Sequence, residues 1–291
     1  MSGSTLRALL EDERICVVPG AGTALEARVI QEAGFNAIYV SGYATAAAVH
    51  GLPDIGLIGS AEVVANVKAI RHVTDLPLIV DADTGYGDAV NVRDTVRRLE
   101  AAGASAIQLE DQVWPKRCGH LAGKEVVDAE TMARKVRAAV KARRDPDTLI
   151  IARTDARAPL GLEEAVRRVR LYREAGADAT FMDAPQTVEE MRRAATEVEG
   201  PTMVNMSETG LTPLLSAREL EQIGFSLVIF PSSAVRVTAH ALQTFMRDLR
   251  RAGDSTPWVE SMASLERLNR LVGIEEAQAF DAEAADSAVT L

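Results

Sequence analysis

Short apolar runs rich in β-branched residues alternate with longer amphipathic stretches along the whole chain. The runs occupy residues 15–18, 37–40, 78–80, 106–109, 149–152, 179–182, 202–204 and 227–230. They are apolar on successive positions, so they read as strands buried on both faces, as in a parallel sheet covered by helices. Their starts recur about every 30 residues, the length of one strand–helix repeat. Gly34, Gly103, Gly176 and Gly224 each stand just before a strand, where glycine suits the left-handed residue that closes a helix. Ser60 with Glu62, and Thr187 with Glu189 and Glu190, offer a capping oxygen followed by early acids at helix starts.

Eight such repeats in 291 residues predict an α/β chain closed into a (β/α)8 barrel. An open doubly wound sheet is the competitor, but Gly20-Ala21-Gly22-Thr23-Ala24-Leu25 lacks the third glycine of a dinucleotide fingerprint. No Pro/Gly/Ser-rich linker divides the chain. One barrel domain over 1–291 is expected, with a helical extension at about 238–278 and a loose tail at 279–291. Trp258 and the pattern Leu265–Leu271 suggest a subunit contact.

Composition narrows the class. Hydrophobic residues make up 47% and charged residues 25%, as in soluble globular proteins. Lys and Arg number 32 against 42 Asp and Glu, a net charge of −10. That balance offers no general attraction for nucleic acid or anionic membrane. An anionic substrate would need a local cluster of cations or a metal. No apolar run reaches membrane-spanning length, and the N-terminus lacks the pattern of a secretory signal. Only Cys16 and Cys118 occur, which fits reducing cytoplasm. Cys16 lies in an apolar run and reads as core.

Polar residues collect at the C-terminal ends of the strands, where such barrels keep their chemistry. The ends carry Ser41-Gly42-Tyr43, Asp81-Ala82-Asp83, Glu110-Asp111, Arg153-Thr154-Asp155, Asp183 and Asn205. With Asp54, the residues Asp81, Asp83 and Glu110 form a crowd of carboxylates that a cation must neutralise. Mg²⁺ suits it, with oxygen ligands and retained waters, and Mn²⁺ can substitute. The bland alternative is that Asp81 and Asp111 only cap or pair with nearby bases. A calcium loop fails because Val92 stands where a bidentate Glu is needed, and no second Cys/His pair has zinc spacing. In Lys116-Arg117-Cys118-Gly119-His120, three potential cations surround one thiol, which favours a reactive, proton-exchanging cysteine. His72 and His240 read as packing or surface residues, Arg143-Arg144 as a solvated helix end, and His50 stays open between function and structure.

At that segment the chain resembles the isocitrate lyase/phosphoenolpyruvate mutase superfamily. Ser41-Gly42, Gly51-Leu52-Pro53-Asp54, Asp81-Ala82-Asp83, Glu110-Asp111-Gln112, Ala152-Arg153-Thr154-Asp155-Ala156 and Asn205 with Thr212-Pro213 follow in the family's order. Gln112-Val113-Trp114-Pro115 and Ala158-Pro159-Leu160-Gly161-Leu162 look most like the 2-methylisocitrate lyase, 2,3-dimethylmalate lyase and petal death protein branch.

The resemblance implies a cytoplasmic homotetramer with a C-terminal helix packed on a neighbouring subunit. It implies Mg²⁺ on Asp83, with Asp54, Asp81 and Glu110 holding its waters. Ser41, Gly42, Tyr43, Gly119, Arg153, Asp183 and Asn205 would bind the 2-oxo-acid part of a small dicarboxylate. Glu208, Gly210 and Thr212 would seat its second carboxylate. Tyr39 would handle the hydroxyl proton. Cys118 would protonate the carbanion left by carbon–carbon cleavage, tuned by Lys116 and His120, under a loop from Trp114 to Lys124 that closes as a lid. Two residues depart from the pattern: Asp183 stands where Glu is usual, and Thr209 interrupts a usual Gly-Gly. The same site could hydrolyse or decarboxylate oxaloacetate, and carboxyphosphonoenolpyruvate mutase shares much of the pattern. A non-catalytic binding protein would bind metal without turnover.

Overall fold

The computed structural model describes residues 2–117 and 123–286. Helix α1 (Ser2–Glu11) precedes β1 (Cys16–Ala21), α2 (Ala24–Glu32), β2 (Ile38–Val40), α3 (Gly42–His50) and α4 (Ser60–Arg71). The next repeats are β3 (Leu78–Asp81), α5 (Ala89–Ala102), β4 (Ala106–Glu110), α6 (Ala129–Ala142) and β5 (Leu149–Thr154). Then come α7 (Arg157–Leu160), α8 (Leu162–Glu174), β6 (Ala179–Met182), α9 (Val188–Thr196), β7 (Thr202–Asn205), α10 (Ala217–Ile223) and β8 (Leu227–Phe230).

The strands pair in chain order, all parallel, and β8 returns to β1 to close the barrel. Every expected strand is present; β1 runs three residues past its apolar run, through Pro19, Gly20 and Ala21. Alternation along each strand sorts side chains into two layers. Val18, Tyr39, Ile79, Ile151, Phe181, Met203 and Ile229 fill the barrel interior, with Leu6 and Leu10 of α1 packed against them. On the outside of β2 to β5, Val40, Val80, Ile107 and Ile150 meet Val67, Val96, Leu99 and Met132 of the flanking helices.

Gly103 and Gly224 close α5 and α10 in the left-handed conformation. Thr187 caps α9 as expected, its hydroxyl accepting the Glu190 N–H at 3.1 Å. Ser60 does not cap α4. It is the first helical residue, and Glu62 instead reaches back to the Gly59 N–H at 2.9 Å. Arg143 is no solvated helix end either, since it makes a largely buried ion pair with Asp178.

By internal contacts the chain divides into two units, one ending at Val235 and one beginning at Arg236. The second holds most of α11 (Ser233–Ala252), a 3-10 turn (Thr256–Ser261), α12 (Leu265–Leu271) and α13 (Ile274–Asp286). Phe245 and Trp258 meet edge to face within it, 5.5 Å between ring centres. Helix α13 covers residues 279–286 of the stretch expected to be loose. Among the described residues, no helix is long and apolar enough to cross a membrane.

Candidate active site

The period-two alternation that builds the interior continues past the strand ends and delivers charged residues to the barrel mouth. On β3, Asp81 follows Ile79 on the inward face and pairs in register with Gln108 of β4. Its carboxylate accepts the Gly42 N–H at 3.4 Å, the Asp83 N–H at 3.1 Å and the Gln108 amide at 3.3 Å. Gly42 opens α3, whose positive end therefore faces the acids. A Cβ at Gly42 would stand 3.1 Å from Asp81 Oδ2 and 3.5 Å from Asp83 Oδ1, so a side chain there would fill the space beside both carboxylates. Asp83 and Tyr86 hold left-handed backbone, φ 48° and 59°, although neither is glycine. Such strain gathers where a backbone must aim functional groups.

Lys116, in the segment after β4, reaches these acids. Its buried ammonium lies 2.5 Å from Asp54 Oδ1 and 2.8 Å from Asp83 Oδ1. Burial pushes the Asp83 carboxyl up to about 7; Lys116 opposes that shift, and Asp81 and Asp54 add to it. Burial disfavours the Lys116 ammonium, but Asp83 and Asp54 outweigh it and hold the proton firmly.

A second ionic cluster adjoins the first. Register places Glu110 beside Arg153, and the two pair at 3.4 Å. The Arg153 fork binds Asp155 through Nε at 2.8 Å and Nη2 at 2.9 Å, and reaches Asp183 at 3.2 Å. Its guanidinium also sits over the Phe181 ring, 5.2 Å from the centroid. Lys124 bonds both Asp155 at 2.9 Å and Asp183 at 3.1 Å. Burial works against the Asp155 anion, but Arg153 and then Lys124 hold its carboxyl well below the usual range. Burial raises the Glu110 carboxyl, with Arg153 opposing and Asp155 reinforcing the shift.

Six buried carboxylates (Asp54, Asp81, Asp83, Glu110, Asp155 and Asp183) thus face three buried cations, Lys116, Lys124 and Arg153. Fully ionised, they leave an excess of three negative charges in a low-dielectric site. Excess buried charge is costly unless protons or cations remove it. Among the described residues, no three acids or histidines converge as a ready-made metal cage. However, Glu110 Oε1 is buried without a hydrogen-bond partner, and Asp83 Oδ1 meets the Lys116 ammonium. Hard oxygens around a deficit of positive charge fit a Mg²⁺ ion that keeps most of its waters and needs one or two direct carboxylates.

Of the residues expected in the site, Gly42, Asp54, Asp81, Asp83, Glu110, Lys116, Arg153 and Asp183 are joined by these contacts. Ser41 caps α3 by accepting the Ala44 N–H at 3.2 Å. Tyr43 is partly exposed beside it. Tyr39 is buried in the interior and donates to Gln108 Oε1 at 2.9 Å, one step from Asp81; burial and then the Asp81 charge keep its phenol well above its usual range. Asn205 ends β7 with a buried, unpartnered Oδ1. Glu208 accepts from Ser233, Gly210 N–H donates to the Ser207 carbonyl at 3.0 Å, and Thr212 is buried. Cys118, Gly119 and His120 lie outside the described residues.

Lys116 was expected beside the thiol; its described partners are Asp54 and Asp83. Asp155, Lys124 and Gln108 were not assigned roles from the sequence. Asp155 could have been found, since it stands two residues from Arg153 and so on the same side.

The fold and site define a (β/α)8 barrel protein with a buried acidic centre beside an arginine fork. The chain belongs to the phosphoenolpyruvate mutase/isocitrate lyase superfamily: the family model described as phosphoenolpyruvate phosphomutase matches residues 6–250. It is 42% identical over 275 residues to 2,3-dimethylmalate lyase of Eubacterium barkeri, covering 94% of this chain and 95% of that one. It is likewise 42% identical over 289 residues to 2-methylisocitrate lyase of Aeropyrum pernix, covering 99% and 93%. Among solved structures, oxaloacetate acetylhydrolase in complex with 3,3-difluorooxalacetate superposes with a TM-score of 0.92 at 33% identity, covering 98% of this chain and 97% of that one.

Proposed function

We propose that this protein is a Mg²⁺-dependent carbon–carbon lyase. It cleaves a small 2-hydroxy-di- or tricarboxylate, of the 2-methylisocitrate or 2-alkylmalate type, to a 2-oxo acid and a carboxylate. The observation that carries this reading is the Arg153 fork set directly against Glu110, whose Oε1 is buried and unpartnered within the acidic cluster. A fork for a substrate carboxylate beside a divalent-ion site is what a chelating 2-hydroxy acid requires. Likeness to two lyases over nearly the full length supports the same class.

In this reading Asp83 would hold the ion, and Asp54, Asp81 and Glu110 would hold its waters. Bound there, the ion would supply Lewis acidity toward the substrate's 2-oxygen. Arg153, Ser41 and the Gly42 N–H orient the carboxylate; Tyr43, Asp183 and Asn205 line the same end. Glu208, Gly210 and Thr212 seat the second carboxylate. Tyr39, linked through Gln108 to Asp81, handles the hydroxyl proton. Cys118 delivers a proton to the carbanion, with Gly119, His120 and Lys116 around it.

The test is steady-state assay of 2-methylisocitrate, 2,3-dimethylmalate, other 2-alkylmalates and oxaloacetate, with Mg²⁺ and after exhaustive chelation. Cleavage of a 2-hydroxy acid that chelation abolishes, and that Cys118→Ser reduces sharply, is expected. Turnover of oxaloacetate alone would favour a hydrolase or decarboxylase, the reading supported by the likeness to oxaloacetate acetylhydrolase. We also propose a cytoplasmic homotetramer with exchanged C-terminal helices. The exposed apolar residues Val259, Met262, Leu265, Leu268 and Val272 support it; a monomeric mass in solution would refute it.

A further inference from the structure

One buried carboxylate of the rim takes no part in the cluster at the barrel mouth. Asp111 follows Glu110 and so projects the opposite way, into the layer between the strands and α8. It is fully buried and accepts four hydrogen bonds. Thr154 Oγ1 donates at 2.7 Å, the Asp155 N–H at 2.9 Å, Arg168 Nη1 at 2.9 Å and the Tyr172 hydroxyl at 2.8 Å. Arg168 and Tyr172 stand one turn apart on α8, so one helix face supplies both donors.

The other two donors, Thr154 at the end of β5 and Asp155 just after it, adjoin Arg153. Asp155, whose N–H is bonded to Asp111, grips the Arg153 fork with both carboxylate oxygens and also binds Lys124. Lys124 lies on the segment that leads into α6, and that segment is tied to Asp111 through its backbone carbonyl and through Arg168. Arg168 Nη1 donates to the Val127 carbonyl at 2.8 Å, and Val127 N–H donates to the Asp111 carbonyl at 2.8 Å. A buried ion pair is seldom worth more stability than an apolar replacement of the same shape. What it supplies is a fixed arrangement of charged groups.

We infer that Asp111, held by Arg168 and Tyr172, is a positioning residue that sets Asp155 and through it the Arg153 guanidinium and the Lys124 ammonium. The inference rests on the reading of Arg153 as the carboxylate receptor. It adds that this receptor is aimed from outside the barrel mouth, by a side chain that touches no substrate. Small shifts of a guanidinium weaken carboxylate binding steeply, because its hydrogen bonds are angular.

The experiment measures oxalate affinity by calorimetry at saturating Mg²⁺, with thermal stability in parallel, for Asp111→Asn, Thr154→Val, Thr154→Ser, Asp155→Asn, the Asp111→Asn/Asp155→Asn double variant and Arg153→Met. Asp111→Asn should weaken oxalate about tenfold, the scale of one charge-assisted hydrogen bond. Thr154→Val should weaken it in the same direction, and Thr154→Ser, which keeps the hydroxyl, should restore it. The double variant should bind no more weakly than Asp155→Asn alone, because both act on one group. Full oxalate affinity in Asp111→Asn and Thr154→Val, with only a lower melting temperature, would overturn the inference. So would losses that multiply in the double variant. Should either Asp variant not fold, the Thr154 pair decides alone. Arg153→Met separates the two levels: if it keeps oxalate affinity, the receptor reading falls and this inference with it. If it loses affinity while the Asp111 and Thr154 variants keep it, only the positioning role falls.

Discussion

Lys116 Nζ and Asp83 Oδ1 stand 2.8 Å apart at the centre of the acidic cluster, so an ammonium covers an oxygen assigned to a divalent ion. Two cations on neighbouring oxygens repel, and they must share or exchange those ligands. Removing the ammonium by Lys116→Met should destabilise the metal-free protein by about 3–5 kcal/mol, the cost of orphaning buried charge. It should also make the melting temperature depend more steeply on Mg²⁺, and Mn²⁺ should bind more tightly than to the wild type. Asp83→Asn should do the reverse, weakening Mn²⁺ by about a hundredfold if a charged contact near 3 kcal/mol is lost. Calorimetry on both variants checks the pair of signs, and weaker Mn²⁺ binding by Lys116→Met would contradict the competition.

Arg153 engages Asp155, Glu110 and Asp183 at once through a planar fork. Lysine keeps the charge but not the fork. Arg153→Lys should cost at least about a hundredfold in kcat/KM, as two charge-assisted bonds lose their geometry. Most of that loss should fall on KM, measurable with the best substrate from the panel.

Leu99 is fully buried on α5 in the outer core, remote from the ionic clusters. Leu99→Ala should lower stability by about 2–5 kcal/mol, transfer and cavity costs together. Oxalate affinity well below the melting temperature should not change. Urea unfolding beside calorimetry separates the two effects.

Burial pushes the Cys16 thiol up to about 11. In the unfolded chain it ionises near 9, so the folded state loses relative stability as pH rises from 9 towards 11 and none below that window. A two-unit difference amounts to about 3 kcal/mol. In a Cys118→Ser background, Cys16 should resist alkylation at pH 8 until denaturant is added. The stability difference between pH 8 and pH 11 should shrink in Cys16→Ala.

Strand positions were legible because a strand covered on both faces must be apolar residue by residue, and that is a local property. The acids Asp81, Asp83 and Glu110 were legible for a related reason: they follow apolar runs at the ends where a barrel opens, whereas Asp54 stands in the loop after the second strand. Ser60 shows where local reading fails, since the choice between a side-chain cap and Glu62 reaching back depends on the backbone of Gly59.

The chain's own pattern therefore determined eight parallel strands, the end at which polar residues gather, and the chemical types that gather there. Tertiary structure alone decided the partners. It brought Lys116 onto Asp54 and Asp83, set Lys124 and Asp155 around Arg153, and turned Asp111 away to be held by Arg168 and Tyr172. Except for Arg153 and Asp155, which stand two residues from each other, these pairs are 31 to 62 positions apart. Apolar periodicity is written residue by residue, whereas ionic pairing is settled by ångström distances that exist only once the barrel has closed.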